Sequence, residues 1–185
     1  MNEYNIHTES TARKYGWSWK IPEEIIEKFT CIMLHPSPLP KYRGGSPIQN
    51  QIIRGETSSA VTLFVMDNGF DTGDIVGQKS ISLKGSISDI FYEMYRTGVF
   101  LTRKLIKGEY DRVIQDHDDS TTFRRRTADQ SEITIEEISS SSSEYLYNKI
   151  RMLGDPYPNA FIKTSDGKKL LIKNAQISEY DSNES

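Results

Sequence analysis

The sequence has one cysteine, Cys31, in 185 residues. This excludes an intrachain disulfide framework and any cysteine-cluster zinc site. Cys31 lies in an apolar run, so it reads as a buried, inert thiol rather than a nucleophile. Long apolar runs are also absent. The longest, Ala60 to Met66, contains Thr62 and is too short to cross a membrane. Met1 to Lys14 is polar and lacks the apolar centre of a signal peptide, so the expectation is a cytoplasmic protein without a membrane partner. Neither charge sign dominates. Lys plus Arg number 23, Asp plus Glu 26, and the net charge is −3. Nothing therefore draws the whole chain to nucleic acid, and a nucleic-acid partner is not expected, although a local basic patch stays open. With 36% apolar residues and a mean hydropathy of −0.58, the core should be adequate but not generous for one domain.

Along the chain, Tyr15-Gly16-Trp17-Ser18-Trp19-Lys20-Ile21-Pro22 reads as an aromatic loop. Pro22 with Glu23 and Glu24 then opens a short helix whose apolar side is Ile25, Ile26 and Phe29. A strand is expected over Thr30 to Leu34. Ser46-Pro47 has the form of an N-cap with proline at the first helical position, and Gly55 is placed to close that helix. Strands follow over Ala60 to Met66 and Ile75 to Leu83. The spacing of Ile87, Ile90, Phe91, Met94, Tyr95, Leu101 and Leu105 predicts a helix from Ser86 to Lys107. Its start is a Ser86/Asp89 capping box and its end is Gly108. Asp111 to Ser131 is charged and loop-like. Within it, Arg124-Arg125-Arg126 reads equally as a phosphate grip and as a solvated turn. Ser139 to Ser143 reads as a spacer. Ser141 and Glu144 open a helix with Leu146, Ile150 and Leu153 on one side, and Ala160–163 with 170–173 form a β-hairpin.

Two polar loops follow two of the expected strands, and they carry the chemistry. His35 follows the first. It reads either as a structural histidine or as a catalytic one, because ligands of open α/β sheets bind beyond the carboxyl ends of strands. Asp71 stands in a loop with Asp67, Gly69, Gly73 and Asp74. It reads either as turn chemistry or as the partner of His35 in a general acid/base dyad. The imidazole of such a dyad can donate a hydrogen bond to a developing oxyanion, and the carboxylate can take a proton from an attacking amine. The spacing does not fit an EF-hand, and no metal is expected.

The residues themselves carry a resemblance. His35-Pro36-Ser37-Pro38-Leu39-Pro40-Lys41-Tyr42-Arg43-Gly44 resembles the His-Pro-Ser-Leu-Leu-Pro-x-x-Arg-Gly signature of folate-dependent formyltransferases. Met66-Asp67-Asn68-Gly69-Phe70-Asp71-Thr72-Gly73-Asp74 resembles that family's Met-Asp-x-Gly-x-Asp-Thr-Gly-Asp loop. The match spans roughly Gly16 to Lys107. Trp17 to Pro22, Arg43 to Asn50, Arg124 to Asp129 and Ile150 to Leu153 look most similar to the sugar N-formyltransferase branch.

The resemblance implies an α/β fold. It would be a partial Rossmann-like formyltransferase core over residues 1–115, with a small C-terminal helix and β-hairpin region over 116–185. It implies N10-formyltetrahydrofolate as co-substrate and a nucleotide-linked amino sugar as acceptor. The alternatives are a methionyl-tRNA formyltransferase-like enzyme and a truncated, non-catalytic relative that binds folate or nucleotide sugar. By resemblance, His35 polarises the formyl group, and Asp71 tunes His35 and accepts the amine proton. Ser18, Trp19, Lys20, Ile21, Leu39, Asp67, Gly69 and Phe70 line the folate site. There are two departures. Met33 stands where the family has a catalytic asparagine, and a thioether cannot donate a hydrogen bond. Also, only about fifteen polar residues precede the aromatic loop, where the family has several strands. The expectation is a shortened core with an open sheet edge that favours a homodimer.

Overall fold

The computed structural model describes residues 21–179. The expectations for the polar start, for Tyr15 to Lys20 and for the tail beyond Tyr180 lie outside the described residues. Helix α1 (Glu23–Lys28) follows Pro22 with its two acids in the first turn, as the dipole favours. No residue of α1 is buried, and Phe29 just past it is 66% exposed, so the expected apolar side faces no core among the described residues.

Strands β1 (Ile32–His35), β3 (Ser58–Val65) and β4 (Ile75–Ser82) form a three-stranded sheet in the order β1-β3-β4. The α/β class holds, and these three strands are antiparallel. The register pairs Ile32 with Val65 and His35 with Thr62. His35 is therefore the last residue of its strand rather than the first of a loop. Cys31 is half-buried, not sealed in the core. Ile32 and Leu34 of β1 are 36% and 39% exposed.

Helix α2 (Pro47–Ile52) corrects the expected cap. Ser46 adopts a left-handed φ of 51° and makes no cap bond to the helix; its hydroxyl instead accepts from the Arg126 amide at 3.1 Å. Gly55 takes the left-handed turn three residues past the helix end. Helix α3 (Ile87–Ile106) forms as its periodicity predicts, and the Ser86/Asp89 capping box is complete. Its buried stripe (Ile87, Ile90, Phe91, Met94, Thr97, Gly98, Leu101) packs on β3 and β4. Each fully buried aliphatic chain there contributes roughly 1.5–3 kcal/mol.

The stretch read as a plain loop after α3 has structure of its own. Val113 pairs with Ile75 through two backbone hydrogen bonds of 2.8 and 2.9 Å. Strand β5 (Thr122–Phe123) lies parallel to β2 (Arg43–Gly44). The Ser-rich stretch is not a spacer: α4 (Ile135–Ser140) enters it. Ser142, rather than Ser141, caps α5 (Ser143–Arg151) by accepting from the Tyr145 amide. The hairpin is β6 (Ala160–Lys163) with β7 (Lys169–Ile172). Ile133, Ile150, Met152, Leu153 and Ala160 join the same buried cluster as Val61, Leu63, Ile90 and Met94. Residues beyond 115 thus share the core that supports the sheet.

Candidate active site

The loop from Pro36 to Tyr42 contains three prolines, which have no N–H to donate, so it presents more backbone acceptors than donors. Side chains from the neighbouring elements supply the missing donors. Gln51 of α2 donates to the Pro36 carbonyl at 3.1 Å, and buried Thr62 of β3 donates to the Ser37 carbonyl at 2.6 Å. Gln78 of β4 donates to the Leu39 carbonyl at 3.0 Å and to the Thr62 hydroxyl at 2.9 Å. Ser37 itself donates to the Lys41 carbonyl at 2.7 Å. The loop after His35 is thereby fixed to three elements. The signal for this was weak: Thr62 is a polar residue in an apolar run, and the glutamines carry no motif.

His35 is 5% exposed. Its Nε2 lies 2.8 Å from the Tyr42 carbonyl, and its Nδ1 lies 3.5 Å from Asp71 Oδ2. An acceptor thus faces each ring nitrogen, and the carbonyl contact places a hydrogen on Nε2. Asp71 Oδ2 also accepts from the Gly44 amide at 2.8 Å. Tyr42 (φ 59°), Ser46 (φ 51°) and Asp71 (φ 54°) are the three non-glycine left-handed residues among those described. Such backbone costs on the order of 1 kcal/mol or more per residue and persists where the surroundings over-determine it.

The two motifs meet, but not by the route expected. Because β1 and β3 are antiparallel, their carboxyl ends lie at opposite ends of the pair. The loop 66–74 leaves beside Ile32 and must double back about 10 Å, three residue steps, to bring Asp71 to His35. The Val65 amide closes its base on the Asp74 carbonyl at 2.8 Å. Gly73 is required there, because an added Cβ would overlap the Val65 carbonyl. Gln115, 3% exposed and without any sequence signal, donates to the carbonyls of Asp71 (3.0 Å) and Gly73 (2.6 Å). The Gln115 Oε1 accepts from buried Arg43 at 2.6 and 3.2 Å.

The other candidate residues fall in different places. Ser18, Trp19 and Lys20 lie outside the described residues, and Ile21 is half-buried at their edge. Leu39 is 3% exposed, so its side chain faces inward. Asp67 Oδ1 accepts from the Gly69 amide (3.0 Å) and the Thr72 hydroxyl (2.6 Å), which builds the turn. Phe70 stands at its tip, 75% exposed. Met33 is two residues before His35 on the same strand, so the two side chains share a face. Arg124 and Arg125 are exposed, while Arg126 donates to the Gln130 carbonyl. Among the described residues no group of three or more His, Cys, Asp or Glu could hold a metal, and no helix is long and apolar enough to cross a membrane.

A buried imidazole and a carboxylate thus stand 3.5 Å apart on an α/β core. Comparison with known proteins narrows the class. The family described as Formyl transferase matches residues 15–92. The solved methionyl-tRNA formyltransferase from Clostridium thermocellum is 35% identical with a TM-score of 0.72; the match covers 85% of this chain and 73% of that one. The methionyl-tRNA formyltransferase of Clostridium novyi is 35% identical over 169 residues, covering 86% of this chain and 52% of its own. The N-formyltransferase from Helicobacter canadensis, solved with folinic acid and dTDP-3-aminofucose, is 27% identical with a TM-score of 0.56, covering 65% of this chain and 46% of that one. The chain belongs to the folate-dependent formyltransferase family. It spans about half the length of the curated relatives it matches.

Proposed function

We propose that this chain carries the transfer chemistry of an N10-formyltetrahydrofolate-dependent formyltransferase acting on a primary amine. The observation that carries this reading is the His35–Asp71 approach of 3.5 Å, made by residues 36 apart through two motif loops. The amine nitrogen attacks the formyl carbon, and a C–N bond forms. The His35 Nε2–H, which donates to the Tyr42 carbonyl in this structure, turns to the formyl oxygen as it becomes an oxyanion. Asp71 takes the proton that the amine nitrogen loses. The bond to N10 then breaks, its electron pair stays on N10, and that nitrogen takes up a proton. A formamide and tetrahydrofolate result. The exposed Phe70 tip is the described surface assigned to the folate. Of the described residues, those up to 115 form the catalytic part, and those from 116 to 179 buttress it through the shared core.

For the acceptor, the greater identity to methionyl-tRNA formyltransferases favours the α-amine of methionyl-tRNA. The second reading, a nucleotide-linked amino sugar, is supported by the likeness to the Helicobacter canadensis enzyme. Pure protein is incubated with N10-formyltetrahydrofolate and, in parallel, methionyl-tRNA and several nucleotide-linked amino sugars. A formamide product identified by mass, abolished by His35→Ala and by Asp71→Asn, is expected with one acceptor class. Absence of product with every acceptor refutes the reading.

A further inference from the structure

The chemistry proposed above needs Asp71 at His35, yet the strand order alone carries the Asp71 loop away from it. The segment after α3 supplies the restraint. Val113 pairs antiparallel with Ile75, so residue 115 falls beside residue 73. Arg112 Nε donates to Asp74 Oδ2 at 2.6 Å on the same segment. Buried Gln115 then spends both amide protons on the loop, one on the Asp71 carbonyl and one on the Gly73 carbonyl. Its orientation is not free. The Arg43 guanidinium holds Oε1 through Nε and Nη2, so the amide nitrogen must face the two carbonyls. Arg43 in turn precedes Gly44, whose amide donates to the Asp71 carboxylate. Asp71 is thus gripped at its carbonyl by Gln115 and at its carboxylate by Gly44. Its left-handed backbone, uncommon for a non-glycine residue, is over-determined by these contacts.

We propose that Gln115 is the positioning residue that holds the Asp71 carboxylate against His35. The proposal rests on the formyl-transfer reading for its kinetic consequence, but not for its geometry. Gln115→Met keeps the length and removes both donors and the acceptor. Gln115→Glu keeps the acceptor for Arg43 and removes the donors. The Gly44 amide reports directly on Asp71, because that carboxylate is its acceptor. In both variants its NMR shift should move and its hydrogen exchange should quicken towards the values of Asp71→Ala. Helical amides such as Ile90 should stay protected. With an active acceptor, kcat should fall about a hundredfold while KM for the formyl donor holds, because misplacement by about 1 Å is sufficient for that loss. A purely structural residue would lower the melting temperature and leave kcat per folded molecule unchanged. A Gly44 amide that keeps its wild-type shift and exchange overturns the proposal whatever the rate. So does a displaced Gly44 amide with an unchanged kcat. If neither variant gives a dispersed spectrum, Gln115 is a folding determinant and the positioning role is refuted. If the wild type transfers no formyl group to any acceptor, the functional reading fails and the Gly44 amide alone decides the placement.

Discussion

Lys149 offers a sharp test of how the C-terminal part holds to the core. Its side chain is 7% exposed and lies on α5. Its Nζ donates to both Glu137 oxygens at 2.7 and 2.6 Å and to the Glu132 carbonyl at 2.5 Å, joining α5 to α4 and to the strand-like entry to α4. Lys149→Met preserves length and leaves no cavity, so the change isolates the polar contacts. Breaking a buried ion pair from one side costs about 3–5 kcal/mol, because the remaining charge stays desolvated. Here Glu137 is 19% exposed and keeps the Tyr145 hydroxyl at 3.1 Å, which places the expected loss at the lower end, about 3 kcal/mol. For a chain of this size that corresponds to a fall in Tm of about 6–12 °C. The double variant Lys149→Met with Glu137→Leu should recover most of the loss, since an apolar pair of similar volume is close to neutral or stabilising. Urea unfolding followed by circular dichroism measures both. A loss under about 1 kcal/mol for Lys149→Met, or a double variant no better than the single, would refute the reasoning.

Three further outcomes follow from particular atoms. Burial, then the hydrogen bond to Glu56, raises the Tyr42 hydroxyl to about 12. The native state therefore holds this proton at a pH where the unfolded chain has lost it. The resulting stability, on the order of 2–3 kcal/mol, is complete below about pH 10 and disappears as pH rises to about 12. Tyr42→Phe should flatten this limb in a stability–pH series, and an unaltered limb would contradict the assignment. Gly73→Ala should destabilise by about 1–3 kcal/mol and displace Asp71, because the new methyl meets the Val65 carbonyl; wild-type unfolding and rate would contradict this. Met33→Asn places a donor on the same strand face as His35 and should raise the rate about a hundredfold or more, and an unchanged kcat would show that another donor serves.

Much of the fold is legible along the chain because its signals are local. The α3 helix needs only its 3.6-residue stripe and the Ser86/Asp89 box, and both reappear in the structure. The strands follow their apolar runs to within one or two residues. The failures are equally instructive. Ser46 looks like an N-cap but bonds to Arg126, eighty residues on, because a left-handed backbone there turns its hydroxyl away from the helix. The loop after α3 carries no period, yet it supplies the pairing of Val113, the clamp of Gln115 and the strand beside Gly44. Those contacts span 38 to 80 residues, and no local pattern encodes them.

His35 and Asp71, each in its own motif, are determined by the sequence, since residue type and order within a motif need no partner to be recognised. Their meeting is not. Antiparallel pairing of β1 and β3 sets the two loops at opposite ends, and only the tertiary structure returns Asp71 to His35. It does so because buried backbone carbonyls must find donors. In this fold the donors that bend the loop back and stiffen its neighbour are Gln115, Gln51, Thr62 and Gln78.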